Sequence, residues 1–571
     1  MNYVNDEKRP GPGMMGNTTP DGAPPQENLE SPCAPYINGR AFPRKPQSAK
    51  NWREAPEPIP DSEIRNTYIA DVVVIGSGQA GTCAARAAAE AGAKVLVLER
   101  QPQEIQRFEG GGIVGQINSQ LARSRGVEEV DIADFINDWQ LRSNNRSNPA
   151  LVSNFAKHSG EALDWLLEPL PQEVRDSIQI DYHPSSPEYT GLASGIHTWV
   201  GPAVVGRFLK DALKLSQEIA IKHGARFFFG VSGEQLVKEG NQVTGVIGLD
   251  EEGHYDKFMA RKGVLLAAGD FRGHPAMCRD LLTEITDSID MEIPENPGGC
   301  DGSGIRMGMW AGGRLEPRPL SSMGGNYYFP SNLPFSPIGT APVLWLNKYG
   351  KRYSNEGFGD IVLAALPGRR QPEGQLAAVF DSKLLEMGKR YPVTHMATNF
   401  FDERSVARVR KMLDQAVEAG DAGYAMGRLT LYAANTVEKL AELLGYAGED
   451  MVQFVASVDR YNALCAEGKD VDFGKDAALM SPIDTPPFFG YAGKKGLGPV
   501  IVTTGGLLTD ENQNVLDHDY ETIPGLFATG NCCGGRFGLQ YSTPVSGISL
   551  GMAHTLGREA GRWMAGLPDN F

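Results

Sequence analysis

The stretch Gly76-Ser77-Gly78-Gln79-Ala80-Gly81 is the first in the chain whose spacing points to chemistry. It follows a short apolar run, Val72-Val73-Val74-Ile75, and opens an alanine-rich stretch from Thr82 to Ala91. Glycines at this spacing allow a tight turn, bring bare backbone up to a pyrophosphate, and let a helix pack closely on a strand. The helix start beyond them offers unpaired N–H groups and the positive end of a dipole to phosphate. Glu99 ends the next apolar run, Lys94 to Leu98. A carboxylate there accepts hydrogen bonds from ribose hydroxyls and repels a 2′-phosphate. This pattern calls for a dinucleotide and leaves NAD and FAD both open. Two later segments, Leu265-Leu266-Ala267-Ala268-Gly269-Asp270 and Ile523 to Asn531, pair a strand with glycine. Such segments let backbone lie along a long ligand.

These residues need a βαβ unit to position them. A strand over 72–75, a helix over 82–91 stopped by Gly92, and a strand over 94–98 supply it. Residues 1 to about 65, rich in Pro, Gly, Asn and charge, read as an irregular arm, surface-bound or disordered, with order beginning at Asp71. The region from about 130 to 225 is mainly helical, with an amphipathic stretch over 206–223. Residues 226 to 268 form short strands, at 226–229, 242–247 and 263–268, with a turn at Glu239-Gly240-Asn241. Between 326 and 495 the character changes to loops and helices, such as 403–419 and 436–444, which reads as a second domain inserted into the first. The last part, 496–571, returns to glycine-rich turns and ends in a helix around 551–564. The fold class is therefore α/β. A Rossmann-like domain is built from 66–325 and 496–571 and interrupted by an α+β insertion at 326–495.

Bulk properties exclude several classes. A chain of 571 residues is too long for one core. Its net charge of −16 argues against a general nucleic-acid surface or docking on anionic lipid. No stretch approaches the ~20 apolar residues that cross a bilayer, and the N-terminus has no apolar signal core. A cytoplasmic location is the default. The seven cysteines are scattered, with no CxxC and no CxxCH, so neither a disulfide framework, a metal site nor a haem is expected. Adjacent Cys532 and Cys533 read as small residues in a crowded turn.

At this point the sequence resembles the flavoprotein family of soluble fumarate reductases, urocanate reductases and 3-ketosteroid dehydrogenases. The resemblance runs from about Ile69 to Ala565. It rests on DVVVIGSGQAG…VLVLER, GVLLAAGDF, GGCDGSGIRMGMWAGG, LWLNKYGKRYSNE and TTGGLLTDENQNVLD…IPGLFATGNCCGG…TLGREAG, in that order. It implies FAD as the cofactor and a cap, residues 326–495, that closes over the flavin. It also assigns residues. Gly76, Ser77, Gly78, Gln79, Ala80 and Gly81 would hold the pyrophosphate, and Glu99 the adenosine ribose, with Arg100 counted beside it. Gly110, Gly111 and Gly112 would pass near the flavin, and Val231 would touch the adenine through its backbone. Ala268 and Gly269 would line the dinucleotide path, with Asp301 near it. Gly530 and Asn531 would meet the ribityl chain. Many relatives carry Glu where Asn531 stands. Ser546, Gly547, Ile548, Ser549 and Leu550 would set a helix N-terminus at the flavin pyrimidine edge, favouring the anionic reduced flavin.

The catalytic positions depart from the fumarate-reducing pattern. Val502 stands where relatives have His before the Thr504-Gly505-Gly506 turn. Gly357 to Asp360 carries no Arg after Asn355-Glu356, and Tyr541 falls where an Arg follows the C-terminal glycine pair. An arginine pair grips a carboxylate bidentately, so a small dicarboxylate is disfavoured as substrate. A phenol can instead polarise an enone or protonate an enolate. The expectation is an FAD-dependent oxidoreductase moving hydride between flavin N5 and a C–C bond beside a carbonyl, with an apolar substrate such as a 3-oxosteroid or bile-acid derivative. Tyr541, Tyr328 and Arg536 are the catalytic candidates, and Tyr327 stands beside Tyr328. His197, as a lone histidine, is left out. Two alternatives stay open. One is a fumarate- or urocanate-type reductase using Arg352 and Arg536. The other is a flavin-binding redox sensor or electron carrier without turnover. The electron donor or acceptor is not legible.

Overall fold

The computed structural model describes residues 51–106, 108, 113–183, 200–205, 208–282, 300–320, 322–324, 342–356, 368, 371–374, 376–390, 403–426, 429–493, 500–539, 541 and 543–568. Its largest element is an eight-stranded sheet. At its centre five strands run parallel: β18 (Thr522–Ala528), β9 (Tyr255–Leu266), β1 (Ile64–Ile75), β2 (Val95–Glu99) and β6 (Arg226–Phe229). Antiparallel strands complete it, β17 (Asn514–Leu516) beside β18, and the hairpin of β7 (Ser232–Glu239) and β8 (Gln242–Leu249) beside β9.

The centre of the sheet is buried on both faces, and the sequence shows why. Val72 and Val74, with Val95 and Val97, join the alanines of α1 (Gln79–Glu90) in one core cluster. Val73 and Ile75, with Leu96 and Leu98, join Ile305, Met307 and Leu507 in another. Successive side chains of a strand point to opposite faces, so a continuous Val/Ile/Leu run fits a sheet covered on both sides. β1 starts earlier than the sequence suggests. Residues 64–70 pair only with β9 and are mostly exposed, so they lack the continuous apolar run that marks 72–75. The end of the arm itself is seated: Trp52 is buried in the core, and Ile59 N–H donates to Gln235 Oε1 at 2.9 Å.

Behind the first face lies α9 (Ile548–Ala565), the C-terminal helix, packed on α1. Gly557 and Gly561, one helical turn apart, allow that approach. A Cβ at either would fall 2.5 Å from Ala80 O or 2.2 Å from Ala84 O. Around this pair stand α2 (Ile132–Arg142), α3 (Pro149–Leu167) and α4 (Leu209–Lys222). The mainly helical reading of 130–225 missed a small sheet here, in which β5 (Val200–Val205) pairs with β3 (Ile113–Gly115) and β4 (Gln179–His183).

The chain leaves this body after β10 (Ser322–Gly324) and returns at β16 (Val500–Thr503), and these two strands pair with each other. Between them lies a second, antiparallel sheet with its own core. Its order is β11 (Leu344–Asn347), β12 (Leu376–Asp381), β15 (Phe488–Gly493), β14 (Leu429–Ala434) and β13 (Tyr424–Met426). α6 (Glu403–Ala419) covers one face, and α7 (Val437–Leu443) and α8 (Gly448–Glu467) cover the other. The helices fall where the sequence places them. The sheet was not read, because its short strands are scattered among loops.

Candidate active site

The phosphate loop is built by three glycines with three different reasons. Gly76 has φ +95°, and a Cβ there would lie 2.5 Å from Ala267 O. Gly81 touches the loop itself, since a Cβ would fall 1.9 Å from Gly76 O. Gly78 differs. No described atom lies within 4 Å of its would-be Cβ, so no described residue demands glycine there. Bare backbone with open space in front is what a pyrophosphate needs. Gly78 also caps α1 without any side-chain hydrogen bond, which leaves the first-turn N–H groups to a ligand.

Ser77 holds the loop in place. Its N–H and Oγ donate to Glu99 Oε2 at 2.8 and 2.9 Å, and Gln106 Nε2 donates to its Oγ at 2.6 Å. Glu99 Oε1 accepts Gln101 N–H at 2.9 Å, and Glu99 O accepts Val231 N–H at 2.9 Å. Glu99 thus locks the loop through its carboxylate and brings Val231 to the same strand end through its backbone carbonyl. Arg100 Nη2 reaches Asp301 Oδ2 at 3.3 Å and Ser303 Oγ at 3.3 Å, joining β2 to α5 (Ser303–Trp310).

Gly76, Glu99, Ala268 and Gly530 stand at or just after the C-terminal ends of the parallel strands β1, β2, β9 and β18. Gly76, Gly78, Gln79 and Arg100 keep part of their surface open, as do Ala268, Gly269, Asn531, Gly547 and Leu550. Ser77, Ala80, Gly81, Asp301, Gly530, Ser546, Ile548 and Ser549 are buried. Gly110, Gly111, Gly112, His197, Tyr327 and Tyr328 lie outside the described residues.

Tyr541 and Arg536 are both buried and held by hydrogen bonds. The Tyr541 hydroxyl accepts Ser549 N–H at 2.9 Å, in the first turn of α9. The residue is 1% exposed, with its ring against Phe537 and in one core cluster with Trp139. Arg536 is 0% exposed. Its Nε donates to Cys533 O at 2.9 Å, and its Nη2 to Asn531 Oδ1 at 2.9 Å and Thr504 O at 3.2 Å. In this conformation both side chains are enclosed by their neighbours, and Tyr541 is bonded to Ser549, one of the residues expected at the flavin edge. Val502 is a buried residue of β16, and Thr503 N–H donates to Asp270 Oδ2 at 2.7 Å, tying that strand to the end of β9.

Arg352, the other arginine a carboxylate-binding alternative requires, is taken up inside the second sheet's unit. It pairs with Glu356 at 2.9 Å and Asp470 at 2.7 Å, and Lys475 joins Glu356 at 3.4 Å.

Sequence reasoning missed two buried groups. Burial pushes the Glu316 carboxyl up to about 7, although it accepts Gly535 N–H at 2.9 Å. His554 Nε2 lies 2.5 Å from Gln79 Oε1, and burial holds the ring neutral by pushing its pKa down to about 3. His554 lies on the α9 stripe that carries Gly557 and Gly561, so helical spacing could have flagged it as facing the start of α1.

The comparisons agree with this geometry. The FAD binding domain family model matches residues 71–550, and the chain belongs to that family. Vinyl phenol reductase of Lactiplantibacillus plantarum is 27% identical over 524 residues, covering 87% of this chain and 96% of that one. A cytochrome-type fumarate reductase of Shewanella frigidimarina is 25% identical over 539 residues, covering 90% and 82%. The crystal structure of 3-ketosteroid-delta4-(5alpha)-dehydrogenase from Rhodococcus jostii RHA1 shares the fold, with TM-score 0.63, 23% identity and coverage of 87% and 97%. The chain is an enzyme, an FAD-dependent oxidoreductase from a group of reductases and dehydrogenases acting on carbon–carbon double bonds. Among the described residues no helix is long and apolar enough to cross a membrane.

Proposed function

We propose that the chain moves hydride to or from a C–C bond beside a carbonyl in an apolar, enone-type substrate. Bound FAD supplies the hydride donor and acceptor. The relatives are named for a vinyl phenol and for fumarate, so likeness alone does not select the substrate. The observation that carries the choice is the fate of two arginines. Arg352 is sealed in an ionic cluster and Arg536 lies behind the site, so neither is presented to a small diacid.

Gly76–Gly81 and the first turn of α1 hold the pyrophosphate in this reading, Glu99 the adenosine ribose, Gly530 and Asn531 the ribityl chain, and Ser546–Leu550 the pyrimidine edge. Residues 326–495 form the cap that excludes water during hydride transfer. The proton passes through Tyr541 in this reading, with Tyr328 as the second candidate. Tyr541 fixes the first turn of α9 through Ser549 N–H.

The substrate test is anaerobic reoxidation of the reduced enzyme by a steroid-type enone, 4-vinylphenol, fumarate and urocanate. Enones should restore the oxidised flavin spectrum; reoxidation by fumarate with the enones inert overturns the reading. Tyr541→Phe should lower turnover by about 10²–10⁴-fold with FAD still bound. Unchanged turnover would remove Tyr541 from the proton step and leave Tyr328.

A further inference from the structure

Asn531 and Arg536 sit five residues apart at the end of β18, one half-exposed on the cofactor side and one wholly buried. Their hydrogen bond has a fixed polarity. A guanidinium carries only donors, so the Asn531 atom that meets Arg536 Nη2 is the amide oxygen. The oxygen of Asn531 is therefore turned inward, and its NH₂ group faces the open side. Among the described residues nothing accepts from that NH₂ group.

The surroundings of Arg536 are equally one-sided. Its acceptors are the oxygens of Cys533, Thr504 and Asn531, all uncharged, and Nη1 has no hydrogen-bond partner among the described residues. No ion pair among the described residues includes it. Glu316 is the carboxyl whose charge acts on it. Burial brings that group near 7, so at neutral pH a large fraction carries no charge. In a poorly solvated interior such a cation projects its field onto whatever lies beside it.

We propose that Asn531 and Arg536 act as one unit. The unit presents a hydrogen-bond donor, backed by a buried positive charge, to the cofactor at the end of β18, and so favours the reduced, anionic form of bound FAD. A glutamate at position 531, as in many of the flavoproteins this sequence resembles, would offer an acceptor and a negative charge, the opposite in both respects. The unit rests on the reading of this site as the FAD site but not on the choice of substrate.

The decisive variant is Asn531→Asp. It is isosteric and leaves Arg536 an acceptor, but turns a negative charge toward the cofactor. Arg536→Gln removes the cation instead. The readout is the midpoint potential of bound FAD at pH 7, titrated without substrate. Both variants should lower it, Asn531→Asp by a tenfold or larger change in the two-electron equilibrium, which is about 30 mV. Where a variant holds FAD too loosely to titrate, the ratio of its affinities for reduced and oxidised FAD gives the same quantity by linkage. A potential, or an affinity ratio, unchanged or raised in Asn531→Asp overturns the proposal. Because no substrate is present, that result stands apart from any failure of the enone assignment.

Discussion

Asp470 and Glu316 are both buried carboxyls, one in each half of the molecule, and their environments drive them in opposite directions. Burial raises the pKa of both. At Asp470, in the second sheet's unit, Arg352 at 2.7 Å and the N–H groups of Lys475 and Phe473 outweigh it and hold the group at about 2. Glu316, in the cofactor-binding body, accepts Gly535 N–H but has no cation in ion-pair contact among the described residues, and it rises to about 7. The second sheet's unit pairs these buried charges with each other. The other body leaves Arg536 and Glu316 without an ion-pair partner among the described residues. The contrast separates charge used to fix a fold from charge that is not so used.

The sharpest way to break this contrast is Arg352→Met. It strips Glu356 and Asp470 of their arginine and should destabilise the cap by about 3–5 kcal/mol. Urea unfolding should show that loss while the flavin absorbance of the body survives to higher denaturant. Simultaneous loss of both signals would show that the halves do not unfold separately.

Next in size is a pH effect with opposite signs in the two halves. Between about pH 4.5 and 7 folded Glu316 keeps a proton that the unfolded chain has released. Its contribution to stability therefore falls as pH rises through that window, by about 3 kcal/mol in all. Asp470 is held below its unfolded value. It contributes about 2 kcal/mol above pH ~4, lost as the pH falls toward 2. Glu316→Gln should remove the first slope and leave the second. Stability curves of parent and variant that stay parallel from pH 4.5 to 8 would refute the shift assigned to Glu316.

The smallest effects lie in the phosphate loop, where the body relies on backbone instead of charge. Gly81→Ala forces a methyl against Gly76 O and should cost about 1–3 kcal/mol in the FAD-free protein. Gly78→Ala meets no described atom and should leave that stability unchanged while weakening FAD retention. Equal thermal shifts in the two FAD-free variants would remove the distinction between a packing glycine and a ligand glycine.

The phosphate loop was legible in the sequence because it is local. Its glycines, the strand before it and the helix after it fall within one short stretch, and each constraint acts on near neighbours. The second sheet was not, since its strands pair across long separations, Leu376 of β12 with Gly493 of β15, and are too short to show a period. The polar contacts that decide roles reach further still. Arg352 meets Asp470 across 118 positions, Glu316 meets Gly535 across 219, and Gln79 meets His554 across 475. Tyr541 shows the limit most directly. Its place in the chain singles it out, but only the fold shows that its hydroxyl accepts Ser549 N–H.

The pairing of β10 with β16 sets Gly324 directly opposite Val500. The two crossings into the inserted segment are thus neighbours on one ribbon, so everything from 325 to 499 can be treated as a detachable cassette. A two-residue hairpin turn is enough to join antiparallel partners. A chain spliced from Gly324 to Val500 would keep all eight strands of the main sheet and the glycine cradle, giving a minimal flavin holder onto which another lid could be grafted.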